Sequence, residues 1–125
     1  NINIQFKGLL SREETIEHML EADVSISLSK GEGMPIAALE SLYAGCFMIL
    51  SDIPPHKELA LNCERCILLK SSNNYEIFNA LNYVKKHLIE IRESRHLSTK
   101  FAFKNFNVDK MLFQYMNLYK EITRN

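Results

Sequence analysis

Short apolar segments alternate with longer amphipathic segments along the chain, and this alternation predicts strands and helices in turn. The segments with the length of strands are Ile2 to Phe6, Val24 to Leu28, Phe47 to Leu50 and Cys66 to Leu69. Helices are predicted at Arg12 to Glu21, Pro35 to Ala44, His56 to Ala60, from Asn73-Asn74 onward, and at Val108 to Ile122. Strands that alternate with helices favour parallel pairing. The pattern therefore predicts an α/β fold with a parallel sheet and flanking helices.

Several residues predict where the helices begin and end. Ser11 and Glu14 have the spacing of a capping box, and Gly45 is expected to end a helix in a left-handed conformation. Pro35 suits a first helical position, whereas Pro54-Pro55 predicts an extended turn before a short helix. The apolar positions predicted to face inward are Ile16, Met19, Leu20, Ile77, Phe78, Leu81, Val84, Leu88, Ile91, Met111, Leu112, Tyr115, Leu118 and Tyr119. The polar stretch Arg92 to Lys104 has helical tendency.

Composition narrows the possible functions. A chain of 125 residues fits one domain with a modest core. Its formal net charge of zero gives no electrostatic footprint for nucleic acid. No apolar run approaches the length of a membrane span and no signal peptide is apparent, so we expect a cytoplasmic domain.

The three cysteines argue against a disulfide framework because their number is odd. Cys63 to Cys66 is formally a C-x-x-C motif, which raises zinc or redox chemistry. No second C-x-x-C or H-x3-H completes a tetrahedral site. We interpret Cys46 and Cys66 as small core residues and Cys63 as a loop residue.

The segment Glu32 to Glu40, E-G-M-P-I-A-A-L-E, places two carboxylates eight positions apart across a predicted strand–helix junction. A helix N-terminus after a strand binds anions, because its free N–H groups and positive dipole end face the ligand. Glu40 is expected just over one turn into an apolar helix, where a charge is costly without a partner. We interpret that partner as a sugar diol, whose hydroxyls donate to an acceptor-only carboxylate. The alternatives are an ion pair with a lysine such as Lys57 for Glu40 and a solvated loop position for Glu32.

E-x7-E followed by a small, apolar helix resembles the signature of the retaining glycosyltransferases of family 4, which have the GT-B architecture. Other segments are similar to those of that family, in the same order. They are N-I-Q-F-K-G-L-L at 3–10, A-D-V-S-I-S-L-S at 22–29, E-S-L-Y-A-G-C-F-M-I-L at 40–50, S-D-I-P-P-H-K-E-L at 51–59, and 106–122. The likeness covers nearly the whole chain.

The resemblance implies roles for individual residues. Glu32 corresponds to the family's acid beside the transferred hexose, which makes it the candidate catalytic residue, and Glu40 corresponds to the acid that binds the ribose. Backbone N–H groups of Gly33, Met34 and Ile36 are expected at the sugar and phosphates. Leu10 matches a position beside the nucleobase, with an ordinary core leucine as the alternative.

Two further positions stay open. Pro35 stands where the family often has glycine and has no N–H to donate, which puts one backbone contact in doubt. His56 and Glu58 lie near the segment that closes the family's pocket. With no acid and nucleophile identifiable beside it, His56 is interpreted as structural or as a loop residue.

The resemblance also implies the reaction. The donor is expected to be a UDP- or GDP-sugar and the acceptor a glycan or a lipid-linked sugar. Transfer is expected to retain the anomeric configuration, without a metal or another cofactor. A full-length enzyme of this kind is expected in the cytoplasm, with possible attachment to the inner face of the membrane.

The family's donor domain has six parallel, Rossmann-like strands, and the resemblance starts at the third of them. Residues 1–125 are therefore interpreted as a partial donor-binding domain, the incomplete C-terminal half of a GT-B glycosyltransferase, without the first two βα units and the N-terminal acceptor domain. Unpaired strand edges would then favour self-association, and little turnover is expected of the isolated chain. The alternatives are a non-catalytic remnant that binds nucleotide sugar or a protein partner, and an unrelated Rossmann-like domain with another phosphate ligand.

Overall fold

The computed structural model describes residues 3–123, which form a three-stranded parallel sheet with helices on both faces. The strands are β1 (Val24–Ser27), β2 (Phe47–Ser51) and β3 (Cys66–Leu69), in the order β1-β2-β3. The helices are α1 (Arg12–Glu21), α2 (Ile36–Tyr43), α3 (Pro54–Ala60), α4 (Asn74–Lys86), α5 (Leu88–Glu93), α6 (Arg95–Asn105) and α7 (Val108–Ile122). The predicted α/β fold with a parallel sheet is confirmed.

The central strand β2 is buried along its whole length and supplies both halves of the core. Successive side chains of a strand point to opposite faces. Met48 and Leu50 pack with α2, α3 and α6 on one face, whereas Phe47 and Ile49 pack with α4 and α5 on the other. The register pairs Ile49 with Ile26 of β1 and with Ile67 of β3.

The predicted first strand, Ile2 to Phe6, is wrong where the structure describes it. Ile2 lies outside the described residues, and residues 3–6 have no regular secondary structure. Phe6 is 96% exposed and Ile4 is also exposed. The alternation of apolar and polar positions therefore does not correspond to one buried and one exposed face. A strand needs a hydrogen-bonded neighbour, and β1 pairs only with β2 among the described residues.

The helix boundaries follow local signals closely, with two corrections. The capping box of Ser11 and Glu14 is present, and α1 and α7 have their predicted bounds. Pro35 is the N-cap of α2 rather than its first helical residue. Pro54 begins α3, so the prolines start that helix instead of forming an extended turn before it. Both differences reflect the proline φ angle, which suits a helix start as well as an extended turn.

Gly45 ends α2 as predicted, with φ of 94°. Its N–H donates to the carbonyl oxygen of Leu42, and the N–H of Cys46 donates to that of Ser41. This pair of bonds is the Schellman motif, which satisfies the last carbonyls of a helix. It turns the chain directly into β2.

Several predicted inward positions are exposed. Leu20, Phe78 and Leu81 lie more than 40% exposed, whereas Ala80 and Val84 are the buried residues of α4. The predicted stripe from Ile77 to Ile91 is interrupted at His87, which separates α4 from α5. All residues of α7 are exposed, including Met111, Leu112, Tyr115, Leu118 and Tyr119.

Three arginines form hydrogen bonds at the edge of the sheet where the strands begin. Arg95 donates to the carbonyl oxygens of Leu20, Ala22 and Ala44, at 2.7, 2.7 and 2.9 Å. Because these carbonyls end α1 and α2, the guanidinium caps two helices at once. Arg92 forms two hydrogen bonds, of 2.8 and 3.0 Å, with Oδ2 of Asp23 just before β1.

Arg65 lies just before β3 and is buried, with no carboxylate partner among residues 3–123. It donates to Oγ of Ser98, Oγ of Ser94 and the carbonyl oxygen of Ile91, at 2.9, 2.8 and 2.9 Å. The guanidinium also lies over the ring of Phe47, 5.3 Å from its centroid. Burial lowers the pKa of Arg65 below its ordinary value. These contacts attach α5 and α6 to the sheet.

Candidate functional site

The predicted site residues around Glu32 lie at the carboxyl edge of the sheet. The loop 28–35 leaves β1 there and enters α2, and α3 begins at the same edge after β2. Ligands of open parallel sheets bind in the crevice outside this edge. The local fold therefore places Glu32, Gly33 and Met34 where a ligand is expected.

Pro35 shapes the start of α2. Its φ of −81° and ψ of 67° are those of an inverse γ-turn, closed by a 2.9 Å bond from the N–H of Ile36 to the carbonyl oxygen of Met34. The N–H of Ile36, expected at the donor phosphates, thus has an internal partner in this structure. The N–H groups of Ala37 and Ala38 have no acceptor among residues 3–123, and Pro35 offers no side-chain cap. The first turn of α2 therefore presents two free donors.

Gly33 lies in open space. A Cβ built at this residue meets no atom of residues 3–123 within 4 Å, and its φ is not in the left-handed region. Neither packing nor backbone conformation demands glycine here. A ligand that approaches the backbone closely would supply such a demand.

Glu32 faces a buried histidine. Oε1 of Glu32 lies 3.7 Å from Nε2 of His56, which is fully buried on the first turn of α3. Nδ1 of His56 lies 3.1 Å from both Oγ and the carbonyl oxygen of Ser51, at the end of β2. The Ser51 hydroxyl in turn donates to the carbonyl oxygen of Ser29, at 2.6 Å. This network joins the two loops that leave β1 and β2.

Glu40 faces α1 and has a partner that the sequence analysis did not identify. Nη2 of Arg12 donates to Oε1 of Glu40 at 2.8 Å, and the two side chains are 71% and 29% exposed. Lys57, the alternative partner, is instead paired with Asp52 at 2.8 Å. Oε2 of Glu40 remains without a hydrogen bond from residues 3–123.

Of the predicted donor-binding residues, Gly33, Met34 and Glu40 line depressions of the surface, and Leu10, Glu32 and Ile36 line none of these. The largest, of about 540 Å³, lies beside α7 and includes Met34. The other two are smaller and separate. One, of about 220 Å³, is lined by Gly33, Met34 and Leu39 together with residues of α3. The other, of about 280 Å³, holds Glu40 and Arg12 between α1 and α2. Leu10 is half-buried just before α1, with no regular secondary structure. The structure thus brings Glu32, Gly33 and Met34 to one edge and places Glu40 on the flank of α2 that faces α1.

The cysteine pair has the geometry of a small packed cluster. The Cys66 thiol donates to Sγ of Cys63 at 3.2 Å. That bond lowers the pKa of Cys63 and, with burial, raises the pKa of Cys66. Cys46 is fully buried as predicted, whereas the loop residue Cys63 is more buried than Cys66. The described residues contain no group of three or more side chains that could hold a metal ion.

Sequence reasoning missed Arg12 as the partner of Glu40 and interpreted His56 as structural or as a loop residue. The structure places His56 in α3 rather than in a loop, and fully buried. Arg12 opens α1 and carries no motif that ties it to α2. His56 had one usable signal, because a histidine that follows two helix-starting prolines lies on the first helical turn, facing the sheet edge. Only the fold shows that Glu32 lies opposite.

Comparison with known proteins identifies a family and several relatives. The family described as "Glycosyl transferases group 1" matches residues 1–110. The chain is 30% identical over 115 residues to the O-antigen biosynthesis glycosyltransferase WclY of Escherichia coli, a match that covers 90% of this chain and 30% of the relative. No solved structure gives a significant match.

A shorter match of 57 residues connects the chain to the GDP-mannose:cellobiosyl-diphosphopolyprenol alpha-mannosyltransferase of Xanthomonas oryzae pv. oryzae, at 46% identity. It covers 46% of this chain and 15% of the relative. The protein of the same name from Xanthomonas campestris is 44% identical over 57 residues.

The chain belongs to the glycosyl transferases group 1 family, since the family match spans most of its length. It covers 30% or less of the length of these curated relatives. Within the part of the chain that the structure describes, no helix has the length and apolar character that crossing a membrane requires.

Proposed function

We propose that this chain supplies the donor-binding part of a retaining glycosyltransferase of family 4, which transfers a sugar from a UDP- or GDP-sugar to a glycan or lipid-linked acceptor. One observation supports this most directly. Glu32, the open backbone of Gly33 and the free N–H groups of Ala37 and Ala38 share the carboxyl edge of the sheet. These groups suit a ligand that carries hydroxyls at one end and phosphates at the other.

In this proposal Glu32 accepts hydrogen bonds from hydroxyls of the transferred sugar, and the first turn of α2 stabilises the departing pyrophosphate. Glu40 accepts the ribose hydroxyls through Oε2, since Arg12 occupies Oε1. Leu10 packs beside the nucleobase. Positioning of the donor and neutralisation of developing phosphate charge carry the catalysis, and no metal or other cofactor takes part.

The test uses the protein as its gene encodes it, including any sequence before or after residues 1–125. We call this the encoded protein. Calorimetric titration with a panel of UDP- and GDP-sugars identifies the donor, and GDP-mannose comes first because a relative is named for it. We expect one nucleotide to bind and its sugar to be transferred or hydrolysed. Absence of binding by all nucleotide sugars contradicts the proposal.

Two substitutions separate the roles of the acids. Glu40→Ala should weaken nucleotide binding by about 1–3 kcal/mol, the cost of lost charge-assisted hydrogen bonds. Glu32→Gln should lower kcat more than it lowers affinity for the free nucleotide, because its hydroxyl partners lie on the sugar. Equal losses of both quantities in the Glu32 variant contradict this division.

A second candidate is a module that binds nucleotide sugar or a protein partner without chemistry. The exposed apolar residues of α7, among them Phe113 and Met116, favour it, because such a helix suits packing against another protein surface. The donor panel separates the candidates. Binding without transfer or hydrolysis in the encoded protein supports the module, whereas turnover supports the enzyme.

A further inference from the structure

His56 is held in one orientation, with a hydrogen on Nδ1, by the end of β2. The Ser51 hydroxyl gives its one hydrogen to the carbonyl oxygen of Ser29, at 2.6 Å. Oγ and the carbonyl oxygen of Ser51 can therefore only accept from the ring nitrogen that lies 3.1 Å from each. Nδ1 of His56 must then carry a hydrogen. The hydrogen on Nδ1 is thus set by the hydroxyl and carbonyl groups of Ser51 at the end of β2 and by the carbonyl oxygen of Ser29 after β1.

The other ring nitrogen, Nε2, is left without a hydrogen-bond partner among residues 3–123, although it is buried. Buried polar groups without a partner are rare and costly. Oε1 of Glu32 lies 3.7 Å from Nε2, so a movement of about 0.5 Å brings the two atoms into hydrogen-bond range. A bare lone pair of Nε2 would repel the carboxylate. A second proton, taken up from solvent in addition to the hydrogen on Nδ1 and shared between Nε2 and Oε1, makes a charge-assisted bond.

No neighbouring charged side chain among the described residues competes with His56 for the carboxylate of Glu32. Lys57 is paired with Asp52 at 2.8 Å. Among residues 3–123, the structure shows no other hydrogen bond or ion pair to the carboxylate of Glu32, which is 25% exposed. Glu32 thus has one buried polar neighbour, Nε2 of His56, and a carboxylate that is partly exposed at the carboxyl edge of the sheet.

We propose that His56 is a positioning residue that holds Glu32 in its working orientation through a proton between Nε2 and Oε1. Oε2 of Glu32 is then directed to the sugar. His56 acts only through Glu32, because Nε2 is sealed from the crevice. The proposal rests on the role of Glu32 proposed above and adds the element that fixes it.

A matched pair of variants tests the proposal in the encoded protein. His56→Asn keeps a donor near the place of Nδ1 but does not reach Glu32. His56→Gln places an amide N–H near the place of Nε2. We expect His56→Asn to lower kcat for hydrolysis of GDP-mannose or UDP-glucose by about 10- to 100-fold, with nucleotide Kd within about threefold. His56→Gln should restore most of that loss.

A purely structural histidine gives another result. In that case both variants lower the melting temperature, and kcat follows stability rather than the ability to reach Glu32. Equal kcat values for the two variants, or losses in Kd as large as those in kcat, overturn the proposal.

A double-mutant cycle separates failure of this inference from failure of the proposed function. In a Glu32→Ala background, which leaves no polar atom for Nε2 of His56 to contact, His56→Asn should change kcat by less than about twofold. Independent, additive losses overturn the positioning role while the role of Glu32 stands. A Glu32→Gln variant with unchanged kcat instead overturns the proposed role of Glu32 and, with it, this inference.

NMR of protein labelled with ¹⁵N-histidine tests the contact without turnover. We expect Glu32→Gln to shift the Nε2 resonance of His56 and to leave Nδ1 nearly unchanged. Glu58→Gln, which changes an exposed acid on the same helix, is the matched control and should shift neither. An Nε2 resonance that is insensitive to Glu32→Gln overturns the proposal.

Discussion

The two edges of the sheet differ in how far their polar groups have hydrogen-bond partners. At the amino edge, Arg65 and Arg95 each have three hydrogen-bond acceptors, and Asp23 has the guanidinium of Arg92. At the carboxyl edge, Nε2 of His56 has no partner among residues 3–123, and the first turn of α2 is uncapped. Satisfied groups hold a fold together, whereas groups left open are available to a ligand. The amino edge is therefore expected to govern stability and the carboxyl edge to govern binding.

The largest expected effect tests the amino edge. Arg65→Ala removes a buried guanidinium and its three hydrogen bonds to Ile91, Ser94 and Ser98, so unfolding free energy should fall by about 2–4 kcal/mol. Urea denaturation followed by circular dichroism measures this loss. Lys57→Ala, which removes an exposed ion pair at the carboxyl edge, is the control and should cost less than about 1 kcal/mol. Similar costs for both variants would break the comparison.

Two glycines provide a matched test of the same contrast. Gly45 has φ of 94°, and an added Cβ would lie 3.3 Å from Nε of Arg95. Gly45→Ala should therefore destabilise the protein by about 1–3 kcal/mol. Gly33→Ala should change stability by less than about 0.5 kcal/mol, because its Cβ meets open space.

Nucleotide titration gives the complementary readout for the two glycines. Gly33→Ala should weaken binding of the nucleotide sugar, since its methyl group occupies the space that the ligand would use. Gly45→Ala should leave affinity nearly unchanged at a temperature where the variant is folded. A Gly33 variant with normal affinity would show that the ligand does not approach this backbone.

The ion pair of Asp23 gives a smaller, pH-dependent effect. The hydrogen bonds from Arg92 hold the pKa of Asp23 below its ordinary value. A carboxyl with a depressed folded-state pKa contributes stability above its unfolded pKa of about 4, and this contribution is lost as pH falls through the folded pKa. Asp23→Asn should cost about 0.5–1 kcal/mol at pH 7 and almost nothing at the lowest pH where the protein is folded.

Thermal midpoints measured between pH 7 and pH 3 check this expectation. Arg92→Met removes the hydrogen bonds but leaves Nη1 of Arg95 3.8 Å from Oδ1 of Asp23, so it should remove most, but not all, of the pH dependence. A constant difference between Asp23→Asn and the wild type across that range would show that the pair contributes packing rather than charge.

What the sequence predicted correctly depends on local chemistry. The capping box of Ser11 and Glu14 and the left-handed Gly45 are formed by neighbours in the chain, so their helices have nearly the predicted ends. Phe6 and Phe78 were misjudged, because an apolar residue is buried only where another element covers it. A periodic pattern marks the candidate face and does not show what packs on it.

The candidate site likewise has a part that the sequence predicted and a part that it did not. The segment from Glu32 to Glu40 was identifiable because its acids, glycine and proline are adjacent to a strand–helix junction. The partners of these acids were not, since Arg12 and His56 lie far from them in the chain and meet them only through the sheet. The roles assigned to Leu10, Glu32, Gly33, Met34, Ile36 and Glu40 remain predictions.

The smallest expected effect concerns the ion pair between Arg12 and Glu40. One oxygen of Glu40 is bonded, as polar groups at the amino edge are, and the other is open, as polar groups at the carboxyl edge are. The hydrogen bond is short, at 2.8 Å, but the Arg12 side chain is 71% exposed. Solvent and salt screen such pairs, so Arg12→Met should change unfolding free energy by about 0.5 kcal/mol or less, and by still less at high salt. Nucleotide affinity should change by less than about threefold, because Oε2 of Glu40 stays free for the ribose with or without Arg12. Urea denaturation at low and high salt, with nucleotide titration of the same variant, measures both quantities. A stability loss above about 1 kcal/mol would place Glu40 with the internally satisfied groups of the amino edge, and the ribose would then need another acceptor.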